Sequence, residues 1–477
     1  MLRRRQAPSE PGRYLPLYAM ERPPSVDSKK SVPIFASEAQ SDICEIGVNT
    51  VNQCNTIEGT ESKLSTSTNL AKCICGAGSF ALPHVFLEEG VIGGTLAITI
   101  CGYLATVTMQ SLADSRQLAS VRRAKPITSY VQLARETLGE RAANLVFTLT
   151  LSASLGVCST YLVFIGQTLE SMSFDTTTMN VLRQIAPDVS EFTWELLAAV
   201  VLFPLSLIRD YSLFSFTSAL GVFAVVGGIA TTLIYGIYVD PGGGLSVSLD
   251  AIGSLPMWPR SIADAFGGSF GTICYLFAIN FLTFPIINSM KDSREYNGAI
   301  SNAVSGVWIV NVAFAIVTLG FFGEATQDIV LGNLDNGPYL SALKLLLVVD
   351  LLFTFPIVFS SGRQILSNAL LGEERAESAG ALLERAAIVA GAIGVCFALA
   401  QIGGFGKVAN LVGGTAQGTL AFILPPAISL ALAADEASVG AQDRVGSAKI
   451  ASDVALAGFG IALVSAVTYF TFQSLSI

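Results

Sequence analysis

The sequence predicts an all-α, polytopic membrane protein, and three observations carry that reading. Of the 477 residues 52% are hydrophobic and only 13% are charged, with a mean hydropathy of +0.59, whereas a soluble domain carries roughly 25% charged residues. The apolar residues gather into continuous runs near the roughly 20 residues that a bilayer-spanning helix needs. The Lys and Arg residues between those runs fall almost entirely on one side. Continuous runs point to helices, which close their own backbone hydrogen bonds in lipid. Barrel strands would instead be short and alternating. The formal charge of −9 says little, because in membrane proteins the placement of Lys and Arg decides orientation. The charges form no basic patch, so no nucleic-acid partner is expected.

Residues 1–64 are polar, rich in Ser, Pro, Glu and Lys, and without a sustained apolar period. They read as a disordered cytosolic tail. The basic start Met1-Leu2-Arg3-Arg4-Arg5 is not followed by an apolar region, so it is not read as a secretory signal. Residues 65–477 read as one transmembrane domain. Its apolar segments lie at about 67–87, 91–113, 143–172, 194–208, 214–238, 263–289, 298–322, 340–362, 385–403, 408–433 and 450–472, about eleven spans with the fourth short. With the tail in the cytosol, only Arg183, Arg260 and Lys407 of the 27 Lys and Arg residues fall on the outer side, while Lys72 and Lys344 fall within spans. This positive-inside bias fits the parity of the assignment and puts Ile477 outside, luminal or extracellular.

Of the eight cysteines, Cys44 and Cys54 lie in the tail and the rest in apolar runs, which argues against a structural disulfide. Cys73 and Cys75 form a C-x-C pair with no further Cys/His cluster to complete a zinc site. No nucleophile–base constellation, phosphate loop or cofactor fingerprint appears, so neither an enzyme activity nor a cofactor is expected.

Two spans at corresponding positions of two halves carry Gly or Pro interruptions. The first reads Asn69-Leu70-Ala71-Lys72-Cys73-Ile74-Cys75-Gly76-Ala77-Gly78-Ser79-Phe80-Ala81-Leu82-Pro83, and the sixth Phe277-Ala278-Ile279-Asn280-Phe281-Leu282-Thr283-Phe284-Pro285. Gly76 and Gly78 permit the open dihedrals of an unwound stretch, and Pro83 and Pro285 each remove a backbone donor. Broken spans at corresponding places in two halves are the sequence pointer to a midplane binding site. There freed N–H groups hold a carboxylate and freed carbonyls accept an ammonium, a chemistry suited to a zwitterionic amino acid. The alternative is that Gly-x-Gly only lets neighbouring helices pack closely.

The first-span string resembles the signature of the amino acid/auxin permease family. Further matches follow in order: Tyr161-Leu162-Val163-Phe164-Ile165, Pro204-Leu205-Ser206-Leu207-Ile208-Arg209, Phe270-Gly271-Thr272, Asn288-Ser289-Met290, Phe353-Thr354-Phe355-Pro356, and Leu411-Val412-Gly413-Gly414 leading to Pro425-Pro426. The resemblance covers roughly residues 67–433. It implies eleven helices with a cytosolic N-terminus, built as LeuT-type inverted five-helix repeats plus one additional helix. The nearest branch resembles the proton-coupled and vacuolar amino acid transporters. Lys72 stands where the sodium-coupled branch carries Asn in its sodium site, and a second cation there would be repelled. Thr354 matches the other sodium-site position. The chain departs from the proton-coupled branch at Asn69 and Ala278, where that branch carries His and Glu.

These readings define the candidate residues. Gly76, Ala77, Gly78, Ser79, Phe277 and Asn280 are expected to bind substrate, with Phe277 matching a recurrent aromatic that gates the site. Lys72, Asp350 and Thr354 are expected to couple the ion, a proton in preference to sodium. Asp350 sits in the middle of an apolar run, where an acidic group costs on the order of 3 kcal/mol to insert. It lies four residues from Thr354, on one helix face. It either pairs with Lys72, accepts the coupled proton, or only fixes helix packing. His84 is the single histidine and reads as an interfacial packing residue; Glu170 reads as a snorkelling surface group. The function expected is secondary active symport of small neutral amino acids. The alternative is a transporter-like amino acid sensor that signals through the tail. The lack of outer cysteines and outer N-x-S/T sites favours a vacuolar or lysosomal membrane over the plasma membrane.

Overall fold

The computed structural model describes residues 59–174, 181–208, 215–238, 253–334, 337–372, 375, 379–439 and 447–475, so most of the tail lies outside the described residues. The helices are α1 (Lys63–Ile74), α2 (Leu82–Glu89), α3 (Val91–Arg123), α4 (Tyr130–Leu138), α5 (Glu140–Ser173), α6 (Glu191–Leu207), α7 (Ser215–Tyr238), α8 (Phe270–Phe277), α9 (Thr283–Ser289), α10 (Tyr296–Phe322), α11 (Pro338–Leu371), α12 (Leu382–Ala400), α13 (Phe405–Val412), α14 (Leu424–Val439) and α15 (Ser447–Leu475). Each predicted apolar segment overlies one of them or a broken pair. Among the described residues nine helices are long and apolar enough to cross a membrane, and the bent pair α1 and α2 makes a tenth. Helix α6, at 17 residues, is the short fourth segment.

Burial sorts the helices into an interior and a periphery. The apolar window of α5 is 72% buried and that of α8–α9 is 83% buried, against 22% for α12 and α15. Thus α5 and the sixth span form the centre, and α12 and α15 face outward, α15 with exposed Phe459, Ile461 and Tyr469. Exposed apolar side chains of this kind belong on a lipid-facing surface.

Local chemistry sets the ends of these elements. Ser62 caps α1 by accepting from Ser65 N–H, and Ser129 caps α4 through Gln132 N–H, satisfying donors that a helix start leaves open. Helix α3 stops at Ala124 in the left-handed region, with Arg122 and Arg123 in its last turn, where cations suit the helix dipole. Glu61 pairs with Met290 in an isolated bridge, through Glu61 N–H to Ser289 O at 3.0 Å and Lys291 N–H to Glu61 O at 2.9 Å. This bridge ties the chain just before α1 to the end of α9.

Candidate functional site

Both predicted interruptions are real breaks. Helix α1 closes its last bond from Cys75 N–H to Ala71 O at 2.7 Å. Gly76 is then extended (φ −102°, ψ −152°), and the chain restarts as a 3-10 turn over Ala77–Ala81. The second half of the span is bent by 43° from the first. Helix α8 stops at Phe277; Ala278 leaves helical geometry (φ −82°, ψ 57°), and a 3-10 turn over Asn280–Leu282 leads into α9. Pro83 and Pro285 fall in the first turns of α2 and α9, where a missing N–H costs no helical bond. Each break exposes backbone groups that an uninterrupted helix would pair: N–H groups at the restarts and carbonyls at the ends of α1 and α8.

The two breaks adjoin. A Cβ on Gly78 would lie 3.1 Å from Leu276 Cδ2 and 3.4 Å from Tyr275 Cε1, so the first 3-10 turn rests against the end of α8. The structure separates the two glycines: Gly76 takes the extended geometry of the unwound point, and Gly78 lies within the 3-10 turn. Neither has a positive φ. Gly78 is small because α8 approaches closely, while a Cβ on Gly76 would meet only backbone at 3.7 Å or more. Phe80 anchors the turn: its ring lies against Gly228 of α7 and edge-on to Phe314 at 6.1 Å.

Of the first-break candidates Gly78 lies directly against the end of α8, while Gly76 faces only the backbone of α1 and Ala77 and Ser79 share the buried 3-10 turn with Gly78. Ser79 Oγ donates to Cys75 Sγ at 3.5 Å, and Cys75 Sγ donates to Asn311 Oδ1 at 3.7 Å. Phe277 and Asn280 turn instead toward α3. The Phe277 ring covers Gly102, and Asn280 Nδ2 donates to Thr108 Oγ1 at 3.0 Å. Asn280 Oδ1 and Asn311 Nδ2 are buried without a hydrogen-bond partner, an arrangement expected where a polar ligand or ordered water completes the set.

Lys72, Asp350 and Thr354 form a second cluster, one turn before the first break. Lys72 Nζ lies 3.8 Å from Asp350 Oδ1, with side-chain exposures of 18% and 7% that place the pair largely out of water. Thr354 Oγ1 donates to the same oxygen at 3.5 Å. Gly221 of α7 makes room for the carboxylate, since a Cβ there would lie 2.0 Å from Asp350 Oδ1.

Sequence reasoning missed several polar ties around the breaks. Tyr275 OH and Thr160 Oγ1 lie 2.7 Å apart, joining α8 to α5. Asn410 is fully buried: its Oδ1 accepts from Gly271 N–H at 2.6 Å, and its Nδ2 donates to Gly267 O and to Thr471 Oγ1, each at 2.8 Å. Asn410 immediately precedes the matched Leu411-Val412-Gly413-Gly414 run, the one local signal that could have singled it out. Ser269 Oγ donates to Glu89 Oε1 at 2.9 Å.

At the far end of α10, Asp328 accepts from Gly406 N–H through both oxygens, at 3.1 and 3.0 Å. Burial pushes its carboxyl above the ordinary value, against the lowering pull of the Gly406 N–H and of His84. His84 Nδ1 lies 3.1 Å from Thr326 O in the same loop. Glu170 accepts from Glu191 N–H at 3.0 Å, which holds it at the start of α6 instead of leaving it to snorkel. Glu170 and Glu191 line a cavity of about 510 Å³ together with Gln167, Thr168 and Asp328.

Residues 59–473 match the family described as transmembrane amino acid transporter protein. Similar curated proteins include amino acid transporter ANT1 of Arabidopsis thaliana, 25% identical over 78% of this chain and 85% of that one. Amino acid transporter AVT3C of the same plant is 24% identical over 86% of this chain and 90% of its own length. Vacuolar amino acid transporter 7 of Saccharomyces cerevisiae is 24% identical over 66% of this chain and 61% of its own. With that match running through both broken spans and the Lys72–Asp350 pair, the chain belongs to the transmembrane amino acid transporter family.

Proposed function

We propose that this protein is a secondary active transporter that moves small neutral amino acids across a vacuolar-type membrane, coupled to protons. The observation that carries the reading is the adjoining pair of helix breaks. Freed N–H groups at Ala77 and Gly78 and freed carbonyls at the ends of α1 and α8 offer both halves of a zwitterion a partner in one place. The breaks fall in the first and sixth spans, as two inverted five-helix repeats with an additional last helix require. The family and the printed names of the relatives support amino acids as the substrate class.

The ion cluster supports protons over sodium. The Lys72 ammonium already stands beside Asp350 and Thr354, where a metal cation would be repelled. Protonation of Asp350 would release Lys72 and with it the last turn of α1, which leads directly into the break. Alternating access then follows from movement of the half-helices around a fixed site.

The test is uptake of radiolabelled alanine, glycine and proline into proteoliposomes under an inward acid gradient, with and without sodium. Uptake that ignores sodium and collapses with a protonophore is expected. Alanine binding without net uptake under any gradient would replace the transporter reading with the sensor reading.

A further inference from the structure

A groove of about 970 Å³ runs between α1, α7 and α10. Its walls include Leu64, Ala71, Val222, Val226, Val307 and Val310, and its rim is open, with Leu64 78% and Val226 60% exposed. On α1 the lining runs from Lys63 to Cys75, about 18 Å at 1.5 Å per residue. That is close to the depth of one leaflet, half of a hydrocarbon core about 30 Å thick.

The charge at its mouth is specific. Lys63 Nζ reaches over the first turn of α10, 2.8 Å from where a Cβ of Gly298 would stand. Among the described residues it is in no ion pair. The deeper cation, Lys72, contributes its stem to the wall and turns its ammonium to Asp350. The groove thus offers one ammonium at its end and an apolar channel one leaflet deep below it. Gly306 lies in the α10 wall, and a Cβ there would meet nothing within 4 Å, so the space in front of it is open and not a packing contact.

We propose that this groove is a binding site for one anionic phospholipid from the surrounding bilayer, with an acyl chain between α1 and α7 and the phosphate on Lys63. The occupant would rest against the half-helix that carries Lys72, so lipid composition would bear directly on the element that leads into the break. The proposal stands on the groove and not on the assignment of substrate or coupling ion.

The test is native mass spectrometry of the full chain, released from micelles containing equal amounts of palmitoyl-oleoyl phosphatidylserine and the matching phosphatidylcholine. One retained phosphatidylserine per chain is expected. Lys63→Gln should reduce its preference over phosphatidylcholine about fivefold, the worth of one lysine near an anionic headgroup. Gly306→Leu should reduce retention of either lipid about tenfold or more, the worth of two buried methylenes. Val226→Trp fills the groove from the opposite wall and carries the same expectation if the first variant does not fold. Equal retention of both lipids in the wild type would overturn the proposal. So would retention that survives both groove-filling variants, which would mark lipids bound only at the periphery. A lipid-free dimer that the fillers abolish would assign the groove to a second copy of the chain and equally overturn it.

Discussion

Asp350 shows how a single side chain is kept charged-compatible inside an apolar helix. It has an ammonium from α1, a hydroxyl from its own helix, and a glycine on α7 whose missing Cβ provides the space it fills. Removing one partner of a buried pair costs about 3–5 kcal/mol, because the survivor is left uncompensated. Lys72→Met should therefore lower the melting temperature strongly, and adding Asp350→Asn should recover much of the loss. A double variant no more stable than the single one would show that the pair does not set stability. Asp328, in the loop after α10, gives a pH-dependent counterpart. Its carboxyl binds a proton more tightly in the folded chain than its ordinary value of 3.8 implies. Folded-state stability from this group is therefore fully present below that ordinary value and is lost as pH rises through the raised one. Asp328→Asn should remove this dependence, so the variant should gain on the wild type as the pH of a melting series rises. A difference between the two that stays constant with pH would contradict the assignment.

The elements around the site meet through backbone more than through side chains. Gly413, just after α13, sits so close to α8 that a Cβ on it would lie 2.0 Å from Gly271 O and 2.4 Å from Tyr275 N. Small residues allow such approaches between helices that lack a hydrophobic drive to associate in lipid. Gly413→Ala is expected to destabilise at the upper end of the roughly 1–3 kcal/mol typical of overpacking, read as thermal melting in detergent, because both neighbours are backbone and cannot rotate away. The chain beyond Gly413 continues as π-helical turns over Gly413–Gln417 and Thr419–Ile423. Another π turn, Ala265–Ser269, precedes α8. Wide turns of this kind leave carbonyls for outside donors, and Asn410 meets one of them at Gly267.

Across the whole molecule, the parts legible in the sequence were those written in short stretches of chain. Apolar runs of spanning length located the helices, and Gly-x-Gly with Pro83 and the Asn280-to-Pro285 stretch located both breaks. Asp350 announced itself as an acid in an otherwise apolar run. What the sequence withheld depends on contacts between distant segments. Gly78 faces α8 across nearly two hundred residues, so the sequence left its small size open between conformational freedom and close packing and could not name the partner helix. Phe277 and Asn280 face α3, a direction that no periodicity within an eight-residue helix can assign. The lipid groove is likewise a gap between three helices, and local pattern records helices but not the space between them. One of these long-range ties bears on biogenesis. Asn410 completes its hydrogen bonds with Thr471, near the end of α15, and a Cβ on Gly267 would lie 3.1 Å from Phe470 O of the same helix. Of the described spans α15 is made last, so until it emerges Asn410 of α13, already donating to Gly267 O, lacks the Thr471 acceptor for the other hydrogen of its amide. A helix of the lipid-facing periphery thus completes a buried polar tie, and quality control that senses unmet polar groups in lipid can distinguish a chain with α15 in place from one without it.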